Sequence, residues 1–436
     1  MNFEFVSCFV LRISDFGAKN YNNKPMSENP KRTKYIVLVG DGMGDYPLEE
    51  LGGKTPLQVA ETQNMDRIAA CRIGLARTIP EGMEPGSDVA NLSLLGYDPR
   101  VYHTRRAPFE AASMHVGLKP DEVAYRMNLV TLDLNSDHEV IMVSNSSGDL
   151  PSEDARQIVD DLKKELKLPG TTIYQGVGYR HLLVWQNGPE DAATIPPHDV
   201  LGQNMAPYLN EASDNQVQRL IRNSWPILKN HPVNQKRRQR KEIEANSIWL
   251  WGQGRAPKLP RFEEKYGLKG AVICAVDLLR GIGIYAGLEP IYVEGATGYL
   301  NTNYRGKAEA ALHALKRLDF VFLHVEAPDE AGHAGNCKEK IEAIENFDHK
   351  VVGTVLEGLE RFDDFRIMVV SDHLTPIPKR THTGEPTPFA WASKRELERS
   401  GAGAVFSEDA ARKSGLLVEQ GWNLMDQFVF GQVAEP

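Results

Sequence analysis

The sequence has little cysteine and no long apolar segment. Its 436 residues include four cysteines and no CxxC pair, which disfavours both a disulfide framework and a cysteine-ligated zinc site. No apolar run approaches the roughly 18 residues that span a bilayer. Acidic residues (59) outnumber basic ones (50), so the net charge is −9, and this charge is unsuited to nucleic acid or an anionic membrane. We therefore expect a cytoplasmic protein that binds neither. The sequence predicts no oligomeric state.

The composition is that of an ordinary globular protein, with 41% hydrophobic and 25% charged residues. A chain of this length fits two domains, one inserted into the other. The N-terminal segment has neither the basic region nor the small-residue cleavage site of a secretory signal. We expect residues 1–32 to be a disordered extension, and Met26 is a candidate for the true start of the chain.

Short apolar runs followed by polar residues predict buried strands of a parallel sheet. Helix-like periodicity between the later runs indicates alternation of strands and helices. The runs cover residues 35–39, 271–276, 320–325 and 367–370. The fold class that this pattern predicts is α/β, with a mostly parallel sheet.

The middle of the chain has a different sequence pattern, with hairpin-like alternation of apolar and polar residues near 179–185 and with proline-rich loops. A basic run at 236–241 is interpreted as a solvated face or linker, the alternative being a phosphate or nucleic-acid patch. We predict that residues 114–246 form an inserted, smaller α+β domain. Residues 33–113 and 247–436 then form one split domain.

Aspartates and histidines gather just after the apolar runs, where the carboxyl ends of parallel strands meet and ligands collect. Asp329 and His333 are four residues apart, which places them on one face if the segment is helical. Each residue taken singly has a plainer reading as a helix cap or a surface side chain. Three aspartates and three histidines together suit two ions such as Mn²⁺, Mg²⁺, Zn²⁺ or Co²⁺. The six candidates are Asp41, Asp329, His333, Asp372, His373 and His382.

Ser87 lies in the segment PGSDVANL, at a predicted helix N-terminus that favours an anion. The plainer reading is a serine N-cap. A hydroxyl is a weak nucleophile unless a base or a metal activates it, and the sequence shows neither a Ser-adjacent triad nor a G-x-S-x-G elbow. The predicted metal cluster supplies that activation, which favours in-line phosphoryl transfer through a phosphoserine.

The segments GDGMGD, PGSDVANLSLLGYDP, APDEAGHAG and SDHLTPIPKRTHTGEPTP occur in this order in the chain. They resemble those of cofactor-independent phosphoglycerate mutases of archaeal type, members of the alkaline phosphatase superfamily. The resemblance covers residues from about 34 to about 391. It implies a metal-binding phosphatase-like domain split by a substrate-binding domain. It also implies a phosphoserine relay between the 3- and 2-positions of glycerate, without 2,3-bisphosphoglycerate.

Carried over residue by residue, the resemblance makes Ser87 the nucleophile and a metal ligand, beside Asp41, Asp372 and His373 at one ion. The other ion takes Asp329, His333 and His382, with Mn²⁺ preferred on ligand grounds. Guanidinium groups grip phosphate or carboxylate with paired hydrogen bonds. The substrate-binding candidates are Arg106 and Arg126, followed by Arg255 and Lys265, each with a surface salt bridge as its plainer reading.

The chain departs from the family pattern in two places. Where the family shows T-G-R, this chain has Arg105 before Arg106, and where it shows S-x-G-H, this chain ends in Asp149. The first adds positive charge near the proposed phosphate path, and the second replaces a possible proton carrier with an acid. These departures bear on the substrate more than on phosphoryl chemistry.

Other functions compete with the mutase. The segments WLWGQG and HVEAPDEAGH most closely resemble a bacterial branch of the family for which an ATP-dependent homoserine kinase role has been proposed, and the missing P-loop does not exclude that reading. A phosphatase or phosphodiesterase is disfavoured because an inserted domain excludes water. A non-catalytic scaffold is disfavoured because every candidate ligand is present.

Overall fold

The computed structural model describes residues 33–431, apart from 135–138, 167, 210–214, 400 and 402. The predicted extension at 1–32 lies outside the described residues. The strands are β1 (Lys34–Gly40), β2 (Ile73–Ala76), β3 (Glu122–Asp133), β4 (Ile141–Ser144), β5 (Thr171–Tyr174), β6 (Arg180–Gln186), β7 (Ser247–Gly254), β8 (Gly270–Ile273), β9 (Glu289–Ile291), β10 (Phe320–Val325), β11 (Phe365–Val370), β12 (Thr387–Ser393) and β13 (Leu417–Val418).

Helices lie between these strands and after the last of them. They are α1 (Pro56–Val59), α2 (Gln63–Ala69), α3 (Ser87–Leu94), α4 (Pro99–Tyr102), α5 (Arg106–Ser113), α6 (Ser152–Glu165), α7 (Gln216–Lys229), α8 (Pro232–Gln239), α9 (Phe262–Tyr266), α10 (Asp277–Tyr285), α11 (Tyr304–Leu315), α12 (Ala327–Ala334), α13 (Cys337–Phe347), α14 (Thr354–Leu359), α15 (Lys394–Leu397), α16 (Glu408–Lys413) and α17 (Leu424–Phe430). A π-helical segment, Asp348–Gly353, joins α13 to α14, and 3₁₀ turns cover Glu49–Leu51, Pro197–Val200 and Gly421–Asn423.

The larger sheet has the strand order β13-β2-β12-β11-β1-β10-β8-β9. β1 pairs in parallel with both β10 and β11, and β8 continues the parallel part, whereas β12 is antiparallel to its neighbours. Alternate residues of β1 enter two different apolar cores: Ile36 and Leu38 pack on one face and Val37 and Val39 on the other. Both faces are thus covered, which explains why these strands read as unbroken apolar runs.

The smaller sheet is antiparallel and is built around the long strand β3, which pairs with β4, β6 and β7. It has its own apolar core, which includes Tyr125, Trp249 and residues of α6 and α7. The predicted fold class, a mostly parallel α/β sheet with an inserted α+β part, is confirmed. The predicted division at 114–246 stays a prediction, and β7, which begins at Ser247, belongs to the smaller sheet.

The basic run at 236–241 is not wholly solvated. Arg237, on α8, is buried, lies 3.2 Å from a carboxylate oxygen of Asp154, and donates to the backbone carbonyl of Ile243. A long basic side chain enters the interior here because both its charge and its N–H groups find partners.

Among the described residues, no helix combines the length and the apolar character that a membrane crossing requires.

Candidate metal centre and anion cavity

The predicted ligands come from loops at the carboxyl ends of three adjacent parallel strands. Asp41 follows β1, Asp329 lies on α12 directly after β10, and Asp372 and His373 follow β11. Since β10, β1 and β11 are neighbours, their carboxyl ends deliver these side chains to one place. His382 reaches the same place from the loop that precedes β12.

Two groups of ligand atoms each fall within 4.8 Å of one another. One comprises Asp41, Asp372 and His373, and the other comprises Asp329, His373 and His382. His373 therefore lies between the groups, whereas the resemblance assigned it to the first alone. Its Nε2 atom is 3.3 Å from Asp41 Oδ1 and 3.6 Å from Asp372 Oδ2.

His333 belongs beside the second group. Its Nε2 atom lies 3.3 Å from Asp329 Oδ2, and His382 Nε2 lies 3.5 Å from Asp329 Oδ1. The two histidine Nε2 atoms face each other at 2.9 Å, an arrangement in which one of these two Nε2 atoms must carry the proton of the hydrogen bond. The hydrogen bond with Asp329 raises the pKa of His333 to about 9.

The side chains at this position fit divalent cations. Burial, with the nearby charge of Asp372, raises the pKa of Asp41 well above its ordinary value. Asp41 Oδ1 is buried and has no hydrogen-bond partner among the described residues. Converging carboxylate oxygens and imidazole nitrogens are the ligands of Mn²⁺, Zn²⁺ and similar ions. Cations would relieve both the carboxylate repulsion and the missing hydrogen bond.

Ser87 is the first residue of α3, and Gly86 before it is the N-cap. The reading of Ser87 as a plain N-cap is therefore wrong. Its Oγ atom lies 3.1 Å from His373 Nε2, at the edge of the first ligand group. Asn91, one turn along α3, donates to the backbone carbonyl of Ser87 and to Asp372 Oδ2, which ties the start of the helix to the ligand loop.

Sequence reasoning missed His324, the single histidine in the apolar run of β10. Its ring is buried, and Nε2 lies 3.0 Å from Asp41 Oδ2. Neither ring nitrogen makes a hydrogen bond within the described part of the chain. Burial lowers the pKa of His324 to about 4, so the ring is neutral. The only signal for it was a polar residue inside a run of buried strand residues.

Two adjoining cavities lie at the centre. A cavity of about 200 Å³ contacts Ser87 and the metal-ligand candidates, and one of about 360 Å³ extends toward the smaller sheet. Arg106, Glu326 and Glu330 line both. The larger one is called the anion cavity, because three arginines are among the residues that line it.

The arginines of the anion cavity are Arg106, Arg126 and Arg180. Arg126 is held rigidly: its Nε atom lies 2.9 Å from a Glu110 oxygen, and its guanidinium stacks 4.0 Å from the Trp251 ring centre. Arg106 Nε lies 3.6 Å from Asp88. Arg180, which sequence reasoning missed, is exposed and has no carboxylate within ion-pair distance among the described residues. It is the guanidinium most available to an anion.

The structure does not bring Arg255 and Lys265 to the anion cavity. Arg255 Nε pairs with Glu190 at 2.7 Å. Lys265 donates to the backbone carbonyl of Gly96 and lies 3.8 Å from Asp426. Arg105 and Asp149, which mark the two departures from the family pattern, do not line it either. A binding role for Arg255 or Lys265 stays a prediction that this geometry does not support.

The mostly parallel sheet with its inserted antiparallel part, and the carboxylates and imidazoles at its carboxyl edge, define a metal-dependent enzyme of the alkaline-phosphatase-like class. The family described as 2,3-bisphosphoglycerate-independent phosphoglycerate mutase matches residues 69–234. The family described as type I phosphodiesterase / nucleotide pyrophosphatase matches residues 207–404.

Relatives with curated names agree. A Methanosarcina acetivorans 2,3-bisphosphoglycerate-independent phosphoglycerate mutase is 49% identical over 401 residues, which are 91% of this chain and 99% of that protein. A Geobacter sulfurreducens protein, described as a probable enzyme of the same name, is 50% identical over 399 residues, with the same coverage of 91% and 99%.

Solved structures show the same fold. A Pyrococcus horikoshii protein is 30% identical, with a TM-score of 0.76, covering 93% of this chain and 99% of that one. A cofactor-independent phosphoglycerate mutase from Thermoplasma acidophilum is 25% identical, with a TM-score of 0.60, covering 91% and 99%. The chain belongs to the 2,3-bisphosphoglycerate-independent phosphoglycerate mutase family. Membership implies that it uses divalent metal ions.

Proposed function

We propose that the chain interconverts 3-phosphoglycerate and 2-phosphoglycerate through a phosphoserine at Ser87, in the cytoplasm, as a step of glycolysis or gluconeogenesis. The observation that carries the proposal is the place of Ser87. Ser87 is the first residue of helix α3, and its Oγ atom lies 3.1 Å from His373 Nε2. Ser87 also lines the smaller cavity, which adjoins the anion cavity. The names of the close relatives support the same reaction.

The metal ligands in this proposal are the predicted set, with Mn²⁺ preferred. When bound, two such ions lower the pKa of a serine hydroxyl and neutralise phosphoryl oxygens. His333 and His382 must be neutral to serve as ligands. His373, between the two groups, is placed to contribute to the ion beside Ser87.

Ser87 supplies the reaction's acceptor atom. In the first half, a bond forms between Ser87 Oγ and phosphorus while the bond from phosphorus to the glycerate 3-oxygen breaks. The proton lost by the Ser87 hydroxyl is balanced by the proton that the glycerate oxygen gains. The second half reverses these changes at the 2-oxygen. The N-terminus of α3 favours the phosphate through its free N–H groups and its dipole.

The arginines hold glycerate while it changes orientation. Arg126 is pre-organised by Glu110 and Trp251, so that little side-chain entropy is lost when an anion binds. Arg180 has an unpaired guanidinium for a carboxylate or phosphate. Glu326 and Glu330 line the same cavity. Burial raises the pKa of Glu326 to about 8, so its carboxyl is largely protonated at neutral pH and does not repel the anion.

The substrate-binding domain in this proposal is the predicted insertion at 114–246, to which β7 adds. Arg126 and Arg180 come from its strands β3 and β6, whereas Val276, Leu278 and Glu326 come from the split domain. Because both parts form the anion cavity, closing it removes water from the phosphoserine and disfavours hydrolysis.

A ³¹P NMR assay of Mn²⁺-loaded protein tests the function. One sample contains 3-phosphoglycerate alone, and a second contains ATP and homoserine. We expect 2-phosphoglycerate in the first without nucleotide, and neither product after treatment with EDTA. Phosphohomoserine in the second, without isomerisation in the first, would transfer the function to the kinase alternative. Neither Arg105 nor Asp149 lines the anion cavity, so the departures do not favour that alternative.

A further inference from the structure

Thr375 contacts two of the metal-ligand candidates through its hydroxyl. Its side chain is fully buried. The Thr375 Oγ1 atom is 2.5 Å from Asp329 Oδ1 and 3.2 Å from His373 Nδ1. These two residues follow different strands of the larger sheet, β10 and β11, and His373 takes part in both ligand groups. One hydroxyl therefore contacts both Asp329, of the second ligand group, and His373, which the two groups share.

The donors and acceptors in this contact have only one consistent arrangement. A carboxylate that binds a metal accepts hydrogen bonds and donates none. The Thr375 O–H must therefore donate to Asp329, and it has no second proton for His373. His373 Nδ1 then donates its own N–H to Thr375 Oγ1. A neutral imidazole protonated at Nδ1 carries its lone pair at Nε2, the atom that faces Asp41 and Ser87.

The backbone of Thr375 is held as firmly as its hydroxyl. Its carbonyl accepts from the Lys340 ammonium at 2.8 Å, and that ammonium also pairs with the buried Asp45 at 2.7 Å. Its N–H donates to the backbone carbonyl of Gly44. A side chain at Gly42 would place its Cβ 2.6 Å from Thr375 Oγ1, so glycine leaves room for this approach. The loop cannot shift without breaking several buried contacts.

We infer that Thr375 is a positioning residue, whose hydroxyl fixes the Nδ1–H tautomer of His373 and the orientation of Asp329, so that both present lone pairs to the divalent ions. The inference rests on the metal centre of the proposed function. It adds a residue that touches neither substrate nor metal but decides how tightly the metal binds. Partners of this kind typically change metal affinity by about 10- to 100-fold.

Three variants test the inference through metal binding alone. Thr375→Val keeps the shape and removes the hydroxyl, whereas Thr375→Ser keeps the hydroxyl and removes the methyl. Thr387→Val is the matched control, because Thr387 is equally buried and its hydroxyl has no hydrogen-bond partner among the described residues. Free Mn²⁺ is measured by electron paramagnetic resonance during titration of each metal-free protein, and melting curves show that each variant is folded.

We expect Thr375→Val to bind Mn²⁺ about 10- to 100-fold more weakly than the original protein. Thr375→Ser and Thr387→Val should stay within about threefold of it. Equal affinity in Thr375→Val would overturn the inference, and so would equal losses in Thr375→Ser or Thr387→Val. If the original protein bound no Mn²⁺, the proposed metal centre would fail as well, an outcome that these comparisons separate from failure of the threonine contact alone.

A second readout follows the tautomer itself. Nitrogen NMR of ¹⁵N-histidine-labelled protein, loaded with diamagnetic Zn²⁺, distinguishes an Nδ1–H ring from an Nε2–H ring, and loss of a signal in His373→Gln assigns it. We expect the Nδ1–H form for His373 in the original protein and in Thr375→Ser. In Thr375→Val the buried N–H loses its acceptor, and the signal should shift or broaden. An Nε2–H ring in the original protein would contradict the inference.

Discussion

The two sheets contribute to the centre in different ways. The larger, parallel sheet supplies acids and histidines from the loops after its strands, as with Asp41 after β1 and Asp372 after β11. The smaller, antiparallel sheet supplies arginines from the strands themselves, Arg126 within β3 and Arg180 at the start of β6. The larger sheet therefore contributes residues that follow its strands, and the smaller sheet contributes residues on one face of its strands.

The difference shows what each sheet depends on. Strand ends of a parallel sheet converge wherever the strands are neighbours, so a short motif after each strand suffices. A strand face depends on register. Arg126 pairs opposite Leu182 in β6, and Arg180 lies two residues before Leu182, so both arginines point to one face. A slip of one residue would turn them toward the apolar core that contains Tyr125.

The largest effect is expected for the part of the centre that the larger sheet supplies. Ser87→Ala removes the atom that receives the phosphoryl group, and we expect mutase turnover to fall by at least about 10⁴-fold. The fold and the binding of Mn²⁺ should be largely kept, because six other ligand candidates remain. The ³¹P NMR assay measures the rate and elemental analysis the metal. Turnover within tenfold of the original protein would falsify the phosphoserine relay.

The buried Lys340–Asp45 pair holds the same loops in place. Its loss should have the second-largest effect, which is on the stability of the protein. Both side chains are fully buried. Lys340→Met leaves the Asp45 carboxylate uncompensated, and we expect the free energy of unfolding to fall by about 3–5 kcal/mol. Urea denaturation followed by circular dichroism measures it.

The smaller sheet provides the control for that loss. Arg237 is a buried cation too, but its partners Asp154 and Glu242 are partly exposed, at 25% and 41%. Arg237→Met should therefore cost less, since water can solvate the carboxylates that remain. Equal losses in the two variants would contradict the special role of the pair behind the metal loops.

A smaller effect is expected on the strand face. Arg180→Met removes an unpaired guanidinium from the anion cavity. Hydrogen bonds to charged groups contribute about 1.5–3 kcal/mol, so we expect kcat/KM to fall by about 10- to 100-fold, mainly through KM. Arg255→Met is the control, because Arg255 pairs with Glu190 outside the cavity. A similar fall in both variants would show that net charge, rather than position, decides binding.

The last expectation concerns pH. In the metal-free protein the hydrogen bond with Asp329 raises the pKa of His333 to about 9. Below that pH the ring holds a proton that a metal ligand must lose. The affinity for Mn²⁺ should therefore rise with pH up to about 9, by about tenfold per pH unit for one proton. Titrations at pH 7, 8 and 9 measure it, and in His333→Gln the slope should be shallower. An affinity that falls as pH rises would contradict this assignment.

Much of the larger sheet was predictable from the sequence, because a strand buried on both faces leaves an apolar run and the residues after it are free to carry chemistry. The run at 35–39 and Asp41 illustrate this. The same logic missed His324, since a histidine inside a buried run carries no periodic signal. It also misread Arg237, whose burial depends on partners from α6 and from the loop after α8.

By itself the sequence determined the α/β class, the acids and histidines that follow the strands, and the serine at the start of a helix. Each of these features depends on only a few consecutive residues. Only the tertiary structure decided that His373 lies between the two ligand groups, that Arg180 lines the anion cavity and Arg255 does not, and that Thr375 contacts both Asp329 and His373. These relations join residues far apart in the chain, and they depend on sheet order and register, which residue type and spacing do not encode.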